Sequence, residues 1–181
     1  MKSQLIILQG GEDVRKRTNE PLIRKIGGLS LTKKILVIPW TEDLDESEKK
    51  YWTLLNSYFS DSGFREVLFL EREGTKREMN EAFSGPDVLY LPGGDPVILF
   101  RELKSRSIQD KLRSFKGILL GNSAGAVVLS KGMQGEEKFY PGFGLVDFFV
   151  KVHFKLGEER PTGRRLHPTI NIPEGMWVTV S

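Results

Sequence analysis

Residues 118–130 read ILLGNSAGAVVLS, an apolar run broken by a polar pair and framed by Gly121 and Gly125. Gly121-Asn122-Ser123-Ala124-Gly125 fits the pattern G-x-S-x-G. In that pattern a serine sits on a tight strand-to-helix turn, and the flanking glycines are needed because a Cβ would meet neighbouring backbone. Such a turn presents Ser123 as a nucleophile. It also aims the backbone N–H groups of a helix start, and the positive end of its dipole, at an oxyanion forming beside it. The bland alternative is a serine that only caps a buried helix.

A serine at its ordinary pKa needs a base. The chain has two histidines. His153 lies near the end of FFVKVHF (148–154), an alternating segment expected to be a strand that reaches the same edge, and it is the expected base. His167, in a polar loop before Pro168, reads as surface. The base in turn needs an orienting carboxylate. Glu136, Glu137 and Asp147 all fall between Ser123 and His153, and Glu137 is preferred narrowly over Glu136, each having a solvated surface acid as its alternative. Two donors are needed for the oxyanion. One is the backbone N–H of Ala124; the other would come from the Gly93-Gly94 turn of LPGGD (91–95), where the missing Cβ lets backbone approach a substrate closely.

These residues are useful only if the fold brings them to one edge. QLIILQG (4–10), KILVIPW (34–40), REVLFLE (65–71), PDVLYLPGG (86–94) and KGILLGNS (116–123) are short, continuously apolar and closed by Gly, Pro or polar turns. Strands buried on both faces of a parallel sheet look like this. Between them the spacing predicts helices. One spans 47–63, with Tyr51, Leu54, Leu55, Tyr58 and Phe59 on one face and Gly63 at its end. A weaker one spans 76–83, a third spans 95–106 with Asp95 as N-cap and Pro96 in the first turn, and a fourth starts at Ala124. The expected fold class is α/β, a doubly wound, mostly parallel sheet with helices on both faces, in a single domain over 1–181. Beyond 131 a loop, the FFVKVHF strand, a polar loop and a closing strand, MWVTVS, are expected. Ligands in such a sheet collect at the carboxyl ends of its strands.

Composition narrows the chemistry. The 181 residues contain no cysteine, so disulfides, thiolate catalysis and zinc-thiolate sites are excluded. Two histidines argue against a multi-histidine metal site, and neither a metal nor a cofactor is expected. The net charge of +3 is spread out, without the sustained basic face of a nucleic-acid binder. No apolar run approaches the roughly 18 residues of a membrane span, and the N-terminal run lacks the features of a signal peptide. The expected partner is a small peptide substrate in the cytoplasm, with neither nucleic acid nor membrane, and the chain a monomer or homodimer.

LYLPGGDP, GNSAGAVVLS, GFGLVDFFVKVHF and PEGMWVTVS, in that order and together with ILQGGE near the start, resemble the serine-peptidase family of dipeptidase E (aspartyl dipeptidase) and cyanophycinase. The resemblance covers most of the chain. It implies a class I glutamine amidotransferase-like fold with serine in place of the nucleophilic cysteine, and metal-independent hydrolysis of peptide bonds after acidic or β-linked aspartyl residues. It implies Ser123 as nucleophile, His153 as base, an acid in the Glu136/Glu137 region, and Gly94 as an oxyanion donor. Gly93, Asp95 and Asn122 would lie at the substrate, and Arg160 or Arg164 would hold a substrate carboxylate. Asp95 stands where dipeptidase E has an amide. Facing the pocket it would repel an aspartyl substrate; as a helix N-cap it would not. The chain ends soon after PEGMWVTVS, where relatives continue, as in a compact or a truncated variant. Two rival readings are an esterase of the α/β-hydrolase type and a catalytically inactive binding module on the same architecture.

Overall fold

The computed structural model describes residues 4–42, 45–135, 138–155, 157 and 168–181. In chain order its elements are β1 (Leu5–Gln9), α1 (Glu20–Leu29), β2 (Lys34–Val37), α2 (Asp45–Asp61), β3 (Glu66–Phe69), α3 (Lys76–Ala82), β4 (Val88–Leu91) and α4 (Pro96–Ser105). There follow α5 (Ile108–Ser114), β5 (Ile118–Asn122), α6 (Ala124–Leu129), β6 (Gly132–Gln134), β7 (Phe139–Pro141), β8 (Phe149–Lys151), β9 (Thr169–Asn171) and β10 (Trp177–Val180).

The five apolar runs become β1 to β5, all parallel, in a six-stranded sheet ordered β10-β1-β5-β4-β2-β3. Only β10, added along β1, runs antiparallel. The continuous apolar runs follow from burial on both faces. Leu8, Leu36, Leu89, Leu91 and Leu119 pack with α3 to α6, whereas Ile7, Ile35, Val37, Val88, Tyr90 and Leu120 pack with α1 and α2. Each such aliphatic side chain removed from water stabilises the fold by about 1.5–3 kcal/mol. The expected mostly parallel α/β sheet, covered on both sides, is the architecture found.

Three local differences matter. The helix α1, EPLIRKIGGL, stands where no element was expected. It is amphipathic, with Leu22, Ile23 and Ile26 buried and a proline in its first turn, but two glycines near its end blur the pattern. The stretch after 131, expected as loop, contains the short antiparallel pair β6 and β7. FFVKVHF is a strand only over Phe149–Lys151, and it pairs in parallel with β9 rather than joining the main sheet. It stops because His153 turns away: its φ is +53°, and its N–H donates to Gly10 O at 2.7 Å instead of to a ladder.

Candidate active site

Adjacent strands β1, β5 and β4 end side by side, so their exit turns form one row at the carboxyl edge. Gln9 lies level with Asn122, and Gly121 level with Leu91. The middle turn carries Ser123. Its φ of +46° and ψ of −101° are strained for a residue with a Cβ. Conformations of that kind cost about 1–3 kcal/mol and survive only where the surroundings hold them. Here Ser123 N–H donates to Gln9 O at 3.1 Å, Gly125 N–H to Pro92 O at 3.1 Å, and Val127 N–H to Ser123 O at 3.0 Å. The two glycines of the motif let the turn close on its neighbours. A Cβ on Gly121 would sit 2.6 Å from the Gly125 carbonyl carbon, and one on Gly125 only 2.2 Å from Leu91 O.

Across the cleft the His153 ring meets this turn. Ser123 Oγ and His153 Nε2 are 2.7 Å apart, and His153 Nδ1 lies 2.8 Å from Glu174 Oε1. An ionised carboxylate can only accept, so Nδ1–H donates to Glu174. Nε2 of the neutral ring is then free to accept the Ser123 hydroxyl proton. The carboxylate that the described residues place here is not one of those expected. The acid against the imidazole is Glu174, which follows His153 in sequence, whereas Glu136 and Glu137 lie outside the described residues. Asp147 is turned elsewhere, 2.8 Å from Lys131 Nζ, with its side chain 81% exposed. Glu174 belongs to the Pro173-Glu174-Gly175 turn that enters β10, and antiparallel pairing with β1 carries that turn to the reactive edge. Topology puts it there, and a search for an acid between serine and histidine in chain order passes it by. The one cue was the PEG turn before the last strand.

Gly11 is a second residue that sequence reasoning left without a role. Its φ is +151°, and a Cβ there would fall 2.5 Å from His153 Cε1, 2.6 Å from Nδ1 and 3.2 Å from Glu174 Cγ. The imidazole lies directly over this glycine.

The turn after β4 flanks Ser123 on the other side. A Cβ built on Gly93 would lie 3.5 Å from Ser123 Cβ and 3.4 Å from Asn122 Nδ2. Gly94 is exposed beside it, with φ +136°. Ala124 opens α6, so its N–H has no acceptor within the helix. Asn122 is only 2% exposed and sits beneath the turn. Asp95 is exposed, and its carboxylate accepts from Val97 N–H at 2.7 Å and Ile98 N–H at 3.2 Å, the helix N-cap of the two roles foreseen. Arg160, Arg164 and His167 lie outside the described residues. Among the described residues no cluster of three or more His, Cys, Asp or Glu could hold a metal ion, and no helix is long and apolar enough to cross a membrane.

A family model described as peptidase family S51 matches residues 5–180. Similar solved structures include a peptidase from an acI-B1 actinobacterium, 24% identical, with a TM-score of 0.62 over 83% of this chain and 68% of that one. Another is a protein described as a peptidase E from Listeria monocytogenes EGD-e, 21% identical, with a TM-score of 0.63 over 83% of this chain and 79% of that one. A search of curated proteins finds no match.

Proposed function

The chain belongs to peptidase family S51, with a class I glutamine amidotransferase-like fold and serine-peptidase chemistry, and from that premise we propose that it hydrolyses small peptides in the cytoplasm through Ser123, His153 and Glu174. The observation that carries this reading is the unbroken line from Ser123 Oγ through both ring nitrogens of His153 to Glu174.

In the first half of the reaction Ser123 Oγ attacks the scissile carbonyl carbon as its proton passes to His153 Nε2. Glu174 holds the ring in the accepting tautomer and offsets the positive charge that the imidazole gains. The carbonyl oxygen becomes an oxyanion, for which the N–H groups of Ala124 and Gly94 are the donors. As the intermediate collapses, the C–N bond breaks and His153 returns the proton to the leaving amine, so an ester on Ser123 remains. Water then attacks that ester while His153 takes its proton. The acid departs, and the proton goes back to Ser123 Oγ.

Aspartyl-Xaa and β-aspartyl dipeptides are the substrates proposed first. With its carboxylate engaged on the first turn of α4, Asp95 is held as a cap, which weakens the argument that it would repel such a substrate. The test is a dipeptide-library digest by the wild type and Ser123→Ala, scored for Asp-Xaa, β-aspartyl and neutral bonds. Hydrolysis of at least one class should vanish in a variant whose circular dichroism is unchanged. Equal turnover by Ser123→Ala would end the proposal.

A further inference from the structure

The three members of the proposed triad come from distant parts of the chain, yet one short turn bonds two of them and the neighbour of the third. Gln9 O accepts from Ser123 N–H at 3.1 Å, Gly10 O from His153 N–H at 2.7 Å, and Gly11 O from Gly175 N–H at 3.0 Å. Three successive carbonyls thus hold the nucleophile, the base and the residue next to the acid. Gly10 N–H donates in turn to Met176 O at 3.0 Å, closing the turn onto the entry of β10.

Two glycines cannot anchor such a turn through side chains, but the residue after them can. Glu12 points inward, and its Oε1 accepts from the Asn19 backbone N–H at 3.2 Å and from the Tyr58 hydroxyl. Asn19 precedes α1 and Tyr58 sits on α2; both are buried. The carboxylate therefore ties the turn to both helices covering that face of the sheet. Burial pushes its pKa up, and the Tyr58 hydroxyl acts in the opposite direction. Desolvating a carboxylate is unfavourable, and apolar side chains of similar volume often serve stability as well or better. A carboxylate placed here points to a positional task.

We propose that Glu12 is a positioning residue: by clamping residues 9–12 to Tyr58 and Asn19, it holds the three carbonyls that set the spacing of Ser123, His153 and Glu174. This rests on the serine-hydrolase reading above. It adds a fourth side chain that never meets the substrate.

The probe is a fluorophosphonate, which reacts with an activated serine. Saturation kinetics separate the maximal labelling rate, kinact, from the half-saturating concentration, KI. Glu12→Ala leaves the turn unclamped. Misplacement of reacting groups by about 1 Å can cost about 10²-fold, and a loss of that order is expected in kinact with KI unchanged. Tyr58→Phe deletes one hydroxyl while keeping the packing, and should lower kinact by about tenfold, the equivalent of one net hydrogen bond of about 1.4 kcal/mol. Glu12→Gln keeps an oxygen for Tyr58 and Asn19 and should restore kinact to within about threefold of wild type, well under 1 kcal/mol. A purely structural role would instead lower Tm and leave kinact of the folded protein unchanged. Should Glu12→Ala not fold, Tyr58→Phe and Glu12→Gln decide. Wild-type kinact in folded Tyr58→Phe overturns the inference alone; a wild-type protein that does not label overturns the hydrolase reading and this inference with it.

Discussion

Gly11→Ala tests the placement of the His153 ring with a single methyl group. The new Cβ would lie 2.5 Å from His153 Cε1 and 2.6 Å from Nδ1, where ordinary contact begins at 3.4 Å. To restore that contact the ring must retreat by about 0.9 Å, or the turn must shift by as much. An imidazole is rigid, and this one is bound at both nitrogens, so the retreat is taken from the Ser123 or the Glu174 hydrogen bond. A displacement near 1 Å at reacting groups costs about 10²-fold in rate, roughly 2.7 kcal/mol of barrier. Alanine also adopts a φ of +151° poorly, adding about 1–3 kcal/mol of strain that should appear as a lower Tm. The assay is single-turnover phosphonylation of Ser123, followed beside thermal unfolding. The variant should remain folded at 25 °C and label about 10²-fold more slowly. A folded Gly11→Ala that labels at the wild-type rate would refute the idea that the ring packs on this turn.

The acid can be assigned by comparing neighbours. Glu174→Gln keeps an acceptor for Nδ1–H but removes the charge. The two side chains are 49% and 74% exposed, so water screens the pair, and at 2.8 Å its Coulomb energy in water is about 1.5 kcal/mol. A fall in kcat of roughly tenfold is expected. Glu136→Gln and Glu137→Gln should leave kcat unchanged; the reverse pattern would return the acid to that segment. Away from the site, Asp87 secures the loop before β2, accepting from Ser30 Oγ at 2.6 Å, Leu31 N–H at 2.7 Å and Thr32 Oγ1 at 2.7 Å. Burial pushes its pKa up, but the hydrogen bonds from Ser30, Thr32 and Leu31 together outweigh that, so it titrates below its usual 3.8. Its stabilising contribution is therefore complete above about pH 4 and is lost as pH falls through the lower folded-state value. Asp87→Asn should lower stability by about 1–2 kcal/mol at pH 7, and the Tm difference from wild type should shrink between about pH 4 and pH 2. A difference that stays constant with pH would rule out that linkage.

Local signals carried the reading of the strands and the elbow. Val88-Leu89-Tyr90-Leu91 is apolar at every position because both of its faces are covered, and Asp95-Pro96 announces α4 through chemistry that acts within three residues. Ser123 was legible for the same reason: the glycines that its turn requires are its own neighbours. Glu174 was not, because what brings it to His153 is the antiparallel addition of β10 to β1, a long-range pairing without a periodic mark. Gly11 and Glu12 were visible in ILQGGE as a strand exit. Their service to three other segments exists only once β1, β5 and β10 lie side by side. His153 shows the limit of pattern in another way: the alternation of FFVKVHF suggests a longer strand, and the backbone breaks it at the residue whose ring must turn toward Ser123.

Whether Ser123 is a nucleophile activated by His153 is decided by treating the folded protein with a fluorophosphonate and mapping the adduct by peptide mass spectrometry. One adduct per chain is predicted, on Ser123, lost in Ser123→Ala and strongly slowed in His153→Ala. No adduct on the wild type, or an adduct on another residue, would contradict the account.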